Sequence, residues 1–595
     1  MKRHRRDVLR GALGVAGMVV SGASATSSLS AKALQTKSAQ VEDRGWPALV
    51  ANWKLDGDFK DSVGAHHGEG RGIQFVEGRD GRATGAAKFN GTDSFVEVPH
   101  EEALPFGTKE FSLTFWVNVQ ADITSVIGDV LTKYDPAFRR GINLSIGTSS
   151  TAYSSVGDAK NLQFGIDSGI SGSWMDCGRP WKSNPLVSAL TVYKGQLYAG
   201  IASASRSEDA CHVFRYAGGT DWVDCGRLGR HPLTLSAMSM IVHKGYLYAG
   251  TGTWDWERAI AGIGGLNHVY RYEGGTEWRD CGQLGNGYRT FSLASFKGTL
   301  YAGDDTGRCY SYDGDRTWTY CGQLGKDDRL LSMTVYRGQL YASSSPAIYR
   351  YEGGTTWVSI GRNPFGTAQV HKLQVYNGEL FAGTWPFGKV LRYAGGDQWV
   401  DCGQLGIATD KFRINEINDL AVYNGKLYAG VIPKAEVYRY EGGAEWTLLR
   451  TLVSDSRWSP SITSTWFRVP CMAVFQGRLF HGTSTCEGRY DPNNPAEAGR
   501  VYAMEAGKNV SYDDDLGTGW KHVAAIRERG RLKLYVNGEL KATSAAFDNS
   551  DYDIANRFPL LIGKGAQNYF SGLLDDIRIY AGALTSAQVS ELHRS

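Results

Sequence analysis

At 595 residues the chain is long enough for two to four domains. Its 75 glycines, 31 tyrosines and 17 tryptophans, against only 21% charged residues, fit a turn-rich all-β protein rather than a helical one. A formal net charge of +3 supports neither nucleic acid nor a membrane surface as a partner.

The first segment reads as an address. Arg5-Arg6-Asp7-Val8-Leu9 is a twin-arginine pattern, an apolar run follows from Ala12 to Val20, and Ala23-Ser24-Ala25 offers a small-residue cleavage site. The apolar run is too short to span a bilayer. Residues 1–40 are therefore expected to be a twin-arginine signal peptide and leader. The mature protein is expected in the periplasm, outside the cell or on its surface.

Residues 41–168 carry short alternating segments: Trp53-Lys-Leu-Asp-Gly57, Asp61-Ser-Val-Gly64, Phe89-Asn-Gly-Thr-Asp-Ser-Phe-Val-Glu-Val98 and Phe111-Ser-Leu-Thr-Phe-Trp116. Residues 517–595 carry the complement. Trp520-Lys-His-Val523, Leu534-Tyr-Val-Asn-Gly538, Leu561-Ile-Gly563 and Gly572-Leu-Leu-Asp-Asp-Ile-Arg-Ile-Tyr580 precede a short helix expected over Ser586 to His593. Alternation of this kind suits half-buried sandwich strands. Together the two sets resemble one laminin-G-like (concanavalin A-like) jelly roll split in two. The resemblance implies glycan or protein binding, often with bound calcium, and puts Asp56 and Asp575 at the acidic motif positions. As bare residues, Asp56 fits a turn and Asp575 a strand end equally well.

Between the halves, residues 169–516 repeat one phrase seven times: aromatic (once His), any residue, Gly, any residue, Leu, Tyr or Phe. The copies begin at Tyr193, His243, Phe296, Tyr336, Tyr376, Tyr423 and Phe475, roughly 40 to 53 residues apart, a period that signals a propeller or another repeat array. Each phrase is a hairpin signal, with Gly where a tight turn needs positive φ. A second hairpin follows in most repeats, as in Val269-Tyr-Arg-Tyr-Glu-Gly-Gly-Thr-Glu-Trp278. Two hairpins make a four-stranded blade. The last repeat lacks a Trp-x-x-Cys-Gly strand, and a spare one, Trp174-Met-Asp-Cys-Gly178, precedes the first. Lending the spare strand to the last blade closes a ring and removes open edges. The expected architecture is all-β, a seven-bladed β-propeller inserted into a split jelly-roll β-sandwich.

The blades resemble bacterial neuraminidase-repeat and kelch-like propellers. Ser311-Tyr-Asp-Gly-Asp-Arg-Thr-Trp318 is similar to the structural Asp-box turn of sialidases, but no arginine triad with a nucleophilic tyrosine maps onto the chain. Cys177, Cys225, Cys281, Cys321 and Cys402 share one repeat position and read as small buried thiols. Cys471 and Cys486 lie within one repeat and could pair. No cysteine spacing matches a zinc site.

Function is expected in what varies between copies. Seven residues before each phrase stand Leu186, Ser236, Arg289, Arg329, Gln369, Glu416 and Arg468, a register at the start of the inner strands, near the propeller mouth. Arginine presents a planar fork suited to carboxylate or sulfate. Trp254, Trp256, Trp385 and Tyr288 are candidates to stack on sugar rings. The competing reading is that these arginines bridge blades and these tryptophans pack loop bases. Asp304, Asp305, Glu416 and Asp419 are the carboxylates expected nearest the mouth, and His371, His481 and Tyr288 the candidate general bases for β-elimination on a uronate. The leading expectation is an exported carbohydrate-recognition protein for polysaccharide, anionic in type. The alternatives are a secreted polysaccharide lyase or glycoside hydrolase working at that mouth, and a cell-surface protein-binding scaffold.

Overall fold

The structure is a computed structural model that describes residues 45–595, apart from 101–103, 105, 120–126, 148–155, 182–185, 204–207, 209, 254–264, 327, 363, 408–413, 455–466 and 485–495. It is almost entirely β. Residues 1–40, where a signal peptide is expected, and Trp254, Trp256 and Cys486 lie outside the described residues. Among the described residues no helix is long and apolar enough to cross a membrane.

The two flanks of the chain build one sandwich. In the first sheet, strand Phe111–Val119 lies between Gly519–Glu528 and Ser571–Ala581, so an N-terminal strand is held between two C-terminal ones. In the second sheet, Leu560–Ile562 is inserted between Phe95–Val98 and Gly128–Asp135. Inner-face residues from both flanks, among them Trp53, Phe89, Phe115, Leu144, Phe164, Leu534, Leu574 and Ile579, form a single buried core. The helix Ser586–Arg594 is started by a capping box, with Thr585 accepting from the Gln588 amide and the Gln588 side chain accepting from the Thr585 amide.

One boundary differs from the expectation. Lys508–Tyr512 was assigned to the repeat region by its sequence position, yet it pairs along Asn161–Ser168 as an edge strand of the second sheet. The strand leaves no Trp-x-x-Cys-Gly or Gly-Leu signature, so the repeat pattern alone could not exclude it. The chain therefore re-enters the sandwich immediately after the last repeat strand, Val501–Glu505.

Each copy of the phrase forms the inner hairpin of a four-stranded antiparallel unit. The turns take the left-handed conformation twice in a row, as at Lys194 (φ 48°) and Gly195 (φ 70°), the type I′ geometry that Lys-Gly and Asn-Gly favour. The last unit is completed from the other end of the insert, because Ser173–Asp176 pairs with Val501–Glu505. Inner strands pack on one another in succession, and Cys471–Phe475 packs back on Leu186–Tyr193, so the array closes on itself as a propeller.

A repeated hydrogen bond stitches neighbouring units. The indole Nε1 of Trp222, Trp278, Trp318, Trp357 and Trp446 donates to the backbone oxygen of Cys177, Cys225, Cys281, Cys321 and Cys402 of the preceding unit, at 2.8–2.9 Å. Trp399 does the same to Ile360 at 3.0 Å. The Trp222 bond reaches the spare strand itself and so locks the closure. The five cysteines are buried free thiols, and small side chains let the next tryptophan approach. Trp278→Phe keeps the ring but removes one such bond, so it is expected to cost about 1 kcal/mol, read as a lowered midpoint in denaturant unfolding.

The propeller stands on the sandwich by its turn face. The Asn424 amide nitrogen donates to the backbone oxygens of Ile166 and Ala506, at 3.2 and 2.9 Å, and its oxygen accepts from Asn143 at 3.3 Å. Tyr423 donates to Gly477 O and accepts from Asn509. Asn377 N donates to Ala566 O, Lys244 N to Asp158, and Gln476 N to Asp513. These contacts all come from the turn end of the inner strands, and the loops before each phrase enter at the opposite end. Eight residues at about 3.3 Å each separate the two ends by roughly 25 Å.

Candidate functional site

The seven positions before the phrase do fall at the starting ends of the inner strands. Gln369–Tyr376 and Glu416–Tyr423 begin at two of them, and Arg468 stands three residues before the start of Cys471–Phe475. Because the register is common to all units, these side chains come from neighbouring strands at one level of the ring.

Three of them meet. Glu416 is buried, and its Oε1 accepts from Arg468 Nη1 at 2.9 Å and from the Asn418 amide. His371 Nδ1 lies 3.3 Å from the same oxygen, and its Nε2 is 2.8 Å from Gln369 Oε1. His371 is 6% exposed. Burial holds its pKa below the ordinary histidine value; Glu416 opposes that shift, while the nearby Arg468 and Arg329 reinforce it. Burial thus disfavours the protonated imidazole, which lies beside a carboxylate. Trp385 sits opposite Gln369 in the strand register, half-buried, with no acceptor for its indole nitrogen among the described residues.

A second group lies on the adjoining arc. Asp305 Oδ1 accepts from the backbone amides of Tyr288 and Arg289 at 2.8 and 3.2 Å, and its Oδ2 is 3.8 Å from Arg289 Nε. The Arg289 guanidinium lies 4.6 Å above the Phe291 ring. Arg329 N donates to Asp305 O. Burial raises the Asp305 pKa against the pull of Arg289. Asp304 is pushed up to about 6 by burial, although Thr306 and the Arg308 amide hold its Oδ1. The arginines Arg289 and Arg468 are thus engaged by carboxylates of the ring, as the blade-bridging reading expects. Tyr288 is half-buried at the rim.

Two candidates are misplaced by sequence position. His481 belongs to the second strand of the last unit, Arg478–Gly482, which points it between units. It is fully buried, its ring 5.2 Å from Trp174, with no hydrogen-bond partner for either nitrogen among the described residues. Burial drives its pKa down to about 3. It is packing, and the alternation of the strand explains why. An unfolded chain binds a proton at this histidine below about pH 6.5, whereas the folded one waits until about 3. Stability from this residue is therefore complete above 6.5 and is lost as pH falls through that window. His481→Leu is expected to flatten the acid limb of a stability–pH curve between those values; an unchanged limb would refute the assignment.

Asp419 is the other. Its side chain is completely buried beneath the mouth and pairs with Lys372 Nζ at 2.9 Å, while also accepting from the amides of Met472 and Leu420. It spans three units and has no access to a ligand. The signal for it is opposite charge at matching positions of two successive inner strands, four residues before the phrase, at Lys372 and at Asp419.

In the sandwich, Asp56 and Asp575 are each engaged by an arginine. Arg82 Nη1 donates to Asp56 at 3.1 Å and Arg79 Nε to Asp575 at 3.2 Å, with the Arg79 guanidinium stacked 4.5 Å from Trp116. Burial, with Asp576 beside it, raises the Asp575 pKa to about 6. No group of three or more His, Cys, Asp or Glu among the described residues is placed to hold a metal. Calcium asks for six to eight oxygens, and guanidinium groups fill this position, so the residues present do not fit that ion.

Comparison with known proteins gives one partial family match. Residues 453–590 match a model described as the concanavalin A-like lectin/glucanases superfamily, Laminin_G_3. The match begins within the last repeat and omits the N-terminal strands that complete the sandwich. No curated protein matches the chain. Similar solved structures include the extracellular domain of a protein described as a hybrid two-component system from B. thetaiotaomicron. It is 17% identical, with a TM-score of 0.40, over 56% of this chain and 40% of that one. A catalytically inactive virginiamycin B lyase from Staphylococcus aureus with quinupristin is 11% identical, with a TM-score of 0.39, over 56% of this chain and 99% of that one. The WD40 β-propeller domain of Doa1 is 9% identical, with a TM-score of 0.37, over 56% and 96%. The chain thus spans 40% of the length of the first of these, and the similarities are of fold.

Proposed function

We propose that this chain is an exported carbohydrate-recognition protein, a seven-bladed propeller carried on a split laminin-G-like sandwich, whose mouth binds an anionic polysaccharide. The twin-arginine pattern at residues 5–9 supports export. The concanavalin A-like match supports ligand binding of the lectin type. The observation that carries the reading is the set of Arg289, Arg329, Glu416 and Arg468 at the strand starts, at the end opposite the turns that meet the sandwich, with Trp385 beside it. Arg289 lies beside Asp305 and Arg468 beside Glu416 at that level of the ring. Planar guanidinium forks at this level suit the carboxylates or sulfates of a polyanion.

Retention on a polyuronate gel tests it. The parent protein is expected to bind, and replacement of Arg289, Arg329 and Arg468 together by Gln is expected to weaken binding by about tenfold or more. Retention that survives the triple substitution would sink the mouth as the site. One observation favours a lyase as the second reading: His371, whose pKa burial lowers, lies at the same level of the ring 3.3 Å from Glu416, where a general base would be needed. Unsaturated uronate released on incubation with polyuronate, and lost in His371→Asn, would select it.

A further inference from the structure

The sandwich carries a charge that neither its fold nor the mouth requires. In strand Gly128–Asp135, Leu131 and Lys133 project from one face, and Leu131 is part of the sandwich core. Lys133 is paired directly opposite Ile142, another core residue, and directly opposed residues share a face. Tyr134, one residue on, turns the other way toward Asp167. A lysine therefore occupies a position where the alternation asks for an aliphatic side chain.

Lys133 is 3% exposed. Its Nζ donates to Phe558 O and lies 3.2 Å from His100 Nδ1. No carboxylate among the described residues pairs with it, and burial alone pushes its pKa down to about 8. A buried ammonium without an anion is costly. Beside it opens a cavity of about 340 Å³, lined by His100, Leu104, Phe106, Asn556 and Arg557, a size suited to a small organic ligand. Asn556 is committed to the loop, its amide donating to Lys133 O and Arg140 O. Arg557 is exposed at the rim, and Leu104 and Phe106 give the cavity an apolar wall.

We propose that this cavity binds a small organic carboxylate, its charge held by Lys133 and Arg557 and its body lying against Leu104 and Phe106. The apolar wall is what distinguishes such a ligand from an inorganic anion. The carboxylate can come from a free organic acid or from the uronate end of a glycan, and the site is independent of the propeller mouth.

Calorimetric titration of the full mature protein with glucuronate, benzoate, glucose and sulfate tests this. At least one of the two carboxylates is expected to bind, and glucose and sulfate are not. Preference for benzoate assigns a free acid, and preference for glucuronate a glycan end. Arg557→Gln, on an exposed loop, and Lys133→Met, which restores an apolar core position, are each expected to lower affinity by about tenfold or more, with thermal unfolding unchanged or raised for Lys133→Met. Absence of carboxylate binding, equal binding of sulfate, or affinity unchanged in both variants would overturn the proposal. So would carboxylate binding that is absent in the parent and appears only after E101Q with E102Q, because the chain would then supply its own anion.

Discussion

Replacing Asp419 with Ala is expected to lower the stability of the propeller by about 3–5 kcal/mol, the cost of leaving one member of a buried ion pair alone. Lys372 Nζ and Asp419 Oδ1 are 2.9 Å apart with both side chains fully buried. Asp419 also accepts from Met472 N at 2.6 Å and Leu420 N at 2.9 Å, so its loss strands two amides as well as an ammonium. The pair joins three neighbouring inner strands, and its removal acts on the closure of the ring. Burial raises the Asp419 pKa while Lys372 pulls it back. The double replacement Lys372→Met with Asp419→Leu deletes both charges and is expected to recover much of the loss. Denaturant unfolding followed by tryptophan fluorescence measures both. A double variant as unstable as Asp419→Ala would refute the ion-pair account.

Asn424→Ala is expected to loosen the propeller from the sandwich, turning one cooperative unfolding transition into two and exposing the joint to limited proteolysis. The side chain fills two backbone acceptors of the sandwich and of the strand leading into it, and accepts from Asn143. Each buried group left bare costs about 1–3 kcal/mol. Space at this joint is also tight. A Cβ added at Gly425 would lie 2.7 Å from the Tyr134 ring and 2.9 Å from Asn143, at a φ of +85° that a side chain resists. Gly425→Ala is expected to act in the same direction, and a single, unshifted transition in both variants would show that the joint carries no such load.

The joint explains why the copies of the phrase differ. The turns at Lys194, Lys244, Lys297 and Arg337 keep exposed charged tips, whereas those at Asn377, Asn424 and Gln476 are uncharged and their following glycines are buried. At Asn424 the amide side chain is satisfied by backbone oxygens at modest desolvation cost, as a buried ammonium there would not be, while Asn377 and Gln476 dock through their main-chain amides. The difference was visible in the sequence, but it reads there only as equivalent choices for a tight turn.

The repeated phrase, the Trp-x-x-Cys-Gly strand and the spare copy of that strand were sufficient to write down the units and their closure, because each is local hairpin chemistry with a short, strict spacing. The split of the sandwich was legible for the same reason: alternation of apolar residues survives interruption. The register before the phrase also survived folding, since one offset in a repeat maps to one level of the ring, and it brought His371, Glu416 and Arg468 together. What only the tertiary structure decided are the contacts with no sequence period. His481 and Asp419 turned inward because neighbouring units cover them. Lys508–Tyr512 went to the sandwich because its partner strand lies hundreds of residues away. Arginines filled the position expected for calcium, and Lys133 faces a cavity rather than water. Burial is set by what packs on a residue from elsewhere in the chain, so the charges that matter most here are those whose partners the sequence does not place beside them.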